Sequence, residues 1–154
     1  MKAFKLIIVL LFAYTAVFAQ SKNAQTVMNN YAAFGKGDIP VILATLAPDC
    51  VWSHPGNPDI VPFAGTFTGP DAIGNKFFGV IPAAIQILEF SPKIVGEEGN
   101  TVITSVFIKG KGVATGKEFE NTAEMRWSFN DAGMVTSYKV NVDTAALESA
   151  LSSK

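Results

Sequence analysis

The chain is 154 residues long, about one domain's length, and 49% of its residues are apolar, enough for a sizeable core without covalent or metal staples. Twelve Lys or Arg stand against thirteen Asp or Glu, for a net charge of −1; cations cluster only at the N-terminus, which argues against a nucleic-acid partner because phosphate binding rests on clustered cations. Cys50 is the only cysteine and His54 the only histidine, so an internal disulfide is excluded and no metal site or cofactor is expected.

Residues 1–19 have the pattern of a secretory signal peptide. Lys2 and Lys5 form a positive start, Leu6 to Phe18 is an almost unbroken apolar run, and Ala19 is the small residue a signal peptidase accepts. That run is shorter than the roughly 20 residues a spanning helix needs. The expectation is cleavage after Ala19, no membrane association afterwards, a secreted or periplasmic location, and a single mature domain over residues 20–154.

From Ser21 to Gly37, Ala24, Val27, Tyr31 and Phe34 recur at spacings of three and four, the mark of one helical face, with Gly35 and Gly37 ending the helix. Asp38 can cap a second helix whose stripe is Ile39, Ile42, Leu43 and Leu46. Cys50 to His54 reads as a short strand stopped by Pro55, and Pro55, Gly56, Pro58 and Pro62 make the next stretch a loop. Gly69 and Pro70 open a third helix carrying Ile73, Phe77 and Ile81, bent or stopped at Pro82.

Four strands follow over Leu88–Val95, Thr101–Lys109, Lys117–Phe129 and Met134–Val142, the last pair joined by a turn at Asn130 to Gly133. Between Glu118 and Phe129 one face carries Phe119, Asn121, Ala123, Met125, Trp127 and Phe129. The other carries Glu118, Glu120, Thr122, Glu124, Arg126 and Ser128, so one side of the sheet is covered and the other wet. Helices followed by an antiparallel sheet define an α+β fold with the helices on the apolar face.

The segments Tyr31 to Pro40 (YAAFGKGDIP), Val51 to Gly56 (VWSHPG), Phe63 to Ile73 (FAGTFTGPDAI) and Val142 to Leu147 (VDTAAL), in that order, resemble the SnoaL-like branch of the nuclear-transport-factor-2-like superfamily, which also holds the ketosteroid isomerases and polyketide cyclases. The resemblance spans nearly the whole mature chain. It implies a strongly curved, mainly antiparallel sheet wrapped around N-terminal helices as a cone, a deep apolar pocket for a small hydrophobic molecule, and a homodimer. Because that superfamily houses several reactions and many pockets without known chemistry, the fold does not choose the reaction.

In the isomerases a carboxylate before a proline, at the end of this same strand, moves the proton; here His54 stands before Pro55. An imidazole suits a general base near neutral pH, while the alternative is a hydrogen bond from His54 to backbone at the strand end. The isomerases also use a helix tyrosine and a protonated acid as an oxyanion hole. Aligned on Gly37 and Asp38, Asn30 takes the tyrosine position and Tyr31 lies one residue away, roughly 100° around the helix. Met125 takes the acid position and cannot donate a hydrogen bond, which argues against steroid isomerisation. The cyclase relatives use an aspartate near the end of the last strand, where Asp143 stands; read locally, Asp143 is a helix cap.

The candidate catalytic residues are therefore His54, Asp143 and Tyr31. The candidate ligand contacts are Trp52, Phe63, Phe67, Phe78, Asn121, Met125 and Trp127, the aromatics as apolar lining or plain core, and Tyr31 and Asn121 as buried polar groups needing partners in the protein or in a ligand. Cys50 reads as a buried thiol. Four strand residues put it roughly 13 Å from His54, too far for a thiolate-imidazole pair, and Ser53 faces away from both.

Overall fold

The structure, a computed structural model, describes residues 20–153; the expected signal segment, residues 1–19, lies outside them. Helix α1 spans Lys22–Gly35, started by Ser21, whose side chain accepts the Ala24 N–H at 3.0 Å. At its far end the Gly37 N–H bonds the Phe34 carbonyl and the Asp38 N–H bonds that of Ala33, both at 2.9 Å. This closure requires the left-handed φ of 72° that glycine adopts at Gly37 without strain.

The second helix is shorter than its apolar spacing predicts. Helix α2 covers Ile39–Leu43, its N-cap Asp38 makes no side-chain cap bond, and Leu46 begins strand β1, Leu46–His54. Pro48 thus lies inside a strand. The register between β1 and its neighbour shifts between Leu46 and Val51, so the missing proline N–H interrupts no regular ladder.

Strand β2, Gly65–Thr68, pairs antiparallel with the end of β1, setting Phe67 opposite Trp52. The single third helix expected after Gly69 is three short pieces: α3 over Pro70–Ile73, a π-helical turn over Gly74–Phe78, and α4 over Ile81–Ala84. The chain breaks at Gly79 and Val80; Pro82 sits in the first turn of α4, where its missing N–H costs nothing. Within the wide turn, consecutive Phe77 and Phe78 are both only 6% exposed, whereas regular helix would rotate them roughly 100° apart.

Strands β3 (Ile85–Glu98), β4 (Thr101–Gly112), β5 (Glu118–Phe129) and β6 (Val135–Asn141) complete a six-stranded sheet of order β2-β1-β6-β5-β4-β3. All pairs are antiparallel except β1 with β6, which is parallel. The sheet curls without closing, leaving β2 and β3 as edges, and Pro92 is accommodated on the β3 edge. On β5 the expected alternation holds: Phe119, Ala123, Met125, Trp127 and Phe129 are buried and Glu118, Glu120, Thr122 and Glu124 are exposed. Helix α1 packs on β3 and β4, while α5, Ala145–Leu151, packs on β5 and β4.

Candidate functional site

The helical layer and the apolar side of the sheet enclose a cavity of about 100 Å³. At this size it holds a few waters or a compact organic molecule; an apolar cavity of about 150 Å³ is known to take benzene. An outer groove of about 420 Å³ runs between the end of α1, α4 and β3, and shares Phe34, Phe78 and Phe90 with the inner cavity. Phe34 meets Phe90 at 5.2 Å and Phe78 at 6.1 Å between ring centroids, so these rings stand between the two spaces.

His54 lines the cavity from the end of β1, half-buried against Phe63 at 5.1 Å and Phe77 at 5.9 Å. Its Nδ1 lies 2.7 Å from the Pro55 carbonyl oxygen. A carbonyl only accepts, so Nδ1 carries the ring proton in the neutral imidazole and Nε2 holds the free lone pair. Burial lowers the His54 pKa below its usual value, and the bond to Pro55 opposes that only in part. The backbone bond expected at the strand end is present, and it leaves Nε2 as the nitrogen with the lone pair.

Tyr31 also lines the cavity, but its hydroxyl is bound within the protein. It accepts the Trp127 indole N–H at 2.9 Å and lies 2.7 Å from Thr104 Oγ1 and 3.4 Å from Met125 Sδ. Its proton goes to Thr104 or to the sulfur, and in either case to a protein atom. Burial pushes its pKa up to about 12, so it is no base near neutrality. Met125 sits at the centre of this network, its sulfur also accepting the Tyr138 hydroxyl at 3.0 Å. Tyr138 is buried and its pKa is raised well above the ordinary phenol value, first by burial and then by Tyr31.

Asp143 does not reach the cavity. It is exposed ahead of α5, where Oδ1 accepts the Ala145 N–H at 3.0 Å, the local helix-start role. Phe67 is likewise absent from the lining; it stands behind Phe77 at 6.2 Å. The other expected contacts, Trp52, Phe63, Phe78, Asn121, Met125 and Trp127, all line the cavity. Cys50 is fully buried, with its thiol pKa pushed up to about 11 by burial and by Asp49, so it is inert. Ser53 faces the other way, 3.1 Å from Thr66 Oγ1.

Tyr138, Phe77 and Asn30 are among the lining residues that the sequence does not single out as contacts. Tyr138 stacks on Trp52 at 3.8 Å and 18°, and lies two residues before inward-facing Val140, so strand alternation could have found it. The sequence places Phe77 on the apolar stripe of the third helix without marking it as a contact; within the wide turn it is buried together with Phe78. Asn30, three residues after Val27 on the α1 stripe, is 1% exposed.

N-terminal helices packed on a six-stranded sheet that curls without closing make the nuclear-transport-factor-2-like cone. The chain belongs to the SnoaL-like domain family, which it matches over residues 27–138. Among solved structures it is similar to a nuclear-transport-factor-2-like protein of unknown function from Burkholderia pseudomallei K96243, at 27% identity over 87% of this chain and 100% of that one, with a TM-score of 0.79. A nuclear-transport-factor-2-like protein from Burkholderia xenovorans LB400 is 30% identical over 84% of this chain and 95% of its own, with a TM-score of 0.74. TerC, co-crystallised with polyporic acid, is 25% identical over 85% of this chain and 98% of its own, with a TM-score of 0.71. No curated protein matches the chain.

Proposed function

We propose that this SnoaL-like protein is exported, binds one small hydrophobic molecule in the inner cavity, and moves a proton on it through His54 in an isomerase- or cyclase-type step. The observation that carries this reading is the His54 ring, held neutral with Nε2 as its free base, on the wall of an apolar cavity. The likeness to TerC, co-crystallised with polyporic acid, supports a cyclic hydrophobic ligand. The basic start, apolar run and Ala19 support export. Native mass spectrometry of the protein expressed with its leader tests two parts at once: the expected mass begins at Gln20 and includes a bound small molecule, and a full-length, ligand-free species contradicts both.

A second reading, a binding module without chemistry, draws on the bound Tyr31 hydroxyl and on Met125, whose sulfur accepts but does not donate. A wild type that binds a small molecule without converting it favours this reading, whereas unchanged turnover in His54→Gln removes His54 as the base. In both, the outward sheet face is the dimer surface. Half-buried Phe107 and the 54% exposed Val95 lie there beside charged groups formed by Lys109 with Glu118 and Glu120, and Arg126 with Glu98 and Glu124. Analytical ultracentrifugation checks it: a dimer mass that falls to monomer in Phe107→Glu is expected, and a wild-type monomer overturns it.

A further inference from the structure

The inner cavity and the outer groove share a wall. Phe34, Phe78 and Phe90 line both spaces, about 100 Å³ on one side and about 420 Å³ on the other. Phe34 and Phe90 are half-buried, whereas Phe78 is buried. The accessible ring surface at this partition therefore belongs mainly to the first two.

Aromatic packing holds the partition in place. Phe34, from α1, meets Phe78 at 6.1 Å and Phe90 at 5.2 Å, tilted to them by 50° and 57°. Phe90, from β3, also meets Tyr31 at 5.6 Å, and the Tyr31 hydroxyl is tied to Thr104 and Trp127. Swinging either ring aside gives up these aromatic contacts. The partition also has a place relative to the base: ring contacts lead along the wall from His54 to Phe77 at 5.9 Å, then to Phe78 at 5.0 Å, and from there to Phe34.

We propose that Phe34 and Phe90 set the length of the ligand. The cavity takes a compact molecule of one ring with at most a short substituent, and it excludes longer homologues whose tails would need the groove beyond. The inference rests on the inner cavity being a binding site and adds the size class that it accepts.

A homologous series reads this limit: phenol, p-cresol and the 4-n-alkylphenols with ethyl, butyl, hexyl and octyl chains, titrated into the protein by calorimetry. In the wild type, affinity is expected to peak at a short chain and to fall by about tenfold or more by octyl, the scale of overfilling a packed space. In Phe90→Ala, and separately in Phe34→Ala, it is expected to keep rising through octyl, by up to about fourfold for each methylene that the groove covers. Phe119→Ala is the control for added room. Phe119 lines the cavity and not the groove, so its loss enlarges the inner space without joining the two. An octyl chain has more carbons than the ring removed, and affinity there still falls before octyl.

A wild-type affinity that rises through octyl overturns the proposal while leaving the cavity as a binding site; binding of no member of the series overturns both. A limit left unmoved in Phe90→Ala or Phe34→Ala, or a rise through octyl in Phe119→Ala as well, also overturns it. Should one of the two partition variants fail to fold, the other carries the test. Should both fail, Phe90→Leu keeps an apolar side chain at the position and is expected to move the peak to a longer chain; an unmoved peak sinks the idea.

Discussion

The Nδ1 of His54 lies 2.7 Å from the carbonyl oxygen of Pro55, its own neighbour in the chain. That contact fixes which nitrogen of the ring carries the proton and which is the base. The contact is local, set by the strand end and the proline that follows it, whereas the burial that lowers the ring's pKa comes with packing against Phe63 and Phe77.

His54→Gln keeps a polar side chain of similar reach but cannot take up a proton. On a substrate the wild type converts, turnover is expected to fall by about 10²–10⁴, the usual contribution of a general base. Calorimetric affinity for the same molecule is expected to change far less. A loss confined to affinity contradicts the assigned role.

The same residue carries a pH signature in stability. Burial places the folded-state pKa of His54 below the unfolded value of about 6.5, so the unfolded chain binds more protons in the interval between them. The wild type is expected to keep this contribution above about pH 6.5 and to lose it as pH falls through the interval toward the folded pKa. Urea denaturation between about pH 7.5 and 5 should show a steeper decline in the wild type than in His54→Gln, and parallel curves contradict the assignment.

Tyr31→Phe separates a structural hydroxyl from a catalytic one. Removing it leaves the Trp127 N–H without its acceptor and Thr104 without its neighbour. The expected cost is about 1–3 kcal/mol in urea denaturation, with turnover retained to within a few-fold. A drop of about a hundredfold or more with unchanged stability would return Tyr31 to the chemistry.

Gly110→Ala tests how closely the cavity wall is packed. A Cβ there would fall 2.8 Å from Phe119 Cζ and 2.9 Å from the Gln86 carbonyl oxygen. Phe119 lines the cavity, so relief of the clash displaces its ring as well as costing about 1–3 kcal/mol. Both the denaturation midpoint and probe affinity are expected to drop; a fully stable variant contradicts the packing.

Asp143→Ala should matter little. Its carboxylate is exposed and serves the start of α5, so the expected loss is about 1 kcal/mol or less, with activity unchanged. A large activity loss at full stability would place Asp143 in the site after all.

What the sequence determined by itself was whatever depends on local period and spacing. The α1 stripe, the in-and-out alternation of β5, the turn before β6 and the order of the four family segments all follow from residues a few positions apart. The same local logic located His54 and most of the aromatic lining, because a strand end before a proline and an inward strand face are both readable in the chain. Local rules misplaced Leu46, since the short α2 gives way to a strand that gains its hydrogen bonds from β6, nearly ninety residues later.

Only the tertiary structure decided which polar groups are already taken. Tyr31 and Asn30 are neighbours on one helix, and nothing in their spacing says that the first is bound by Trp127, Thr104 and Met125 while the second keeps an unpaired oxygen. Asp143 likewise looks as available as His54 until the fold shows it outside the cavity. The reason is physical: hydrogen-bond satisfaction depends on partners brought close from distant parts of the chain, whereas periodicity records only the direction in which each side chain sets out.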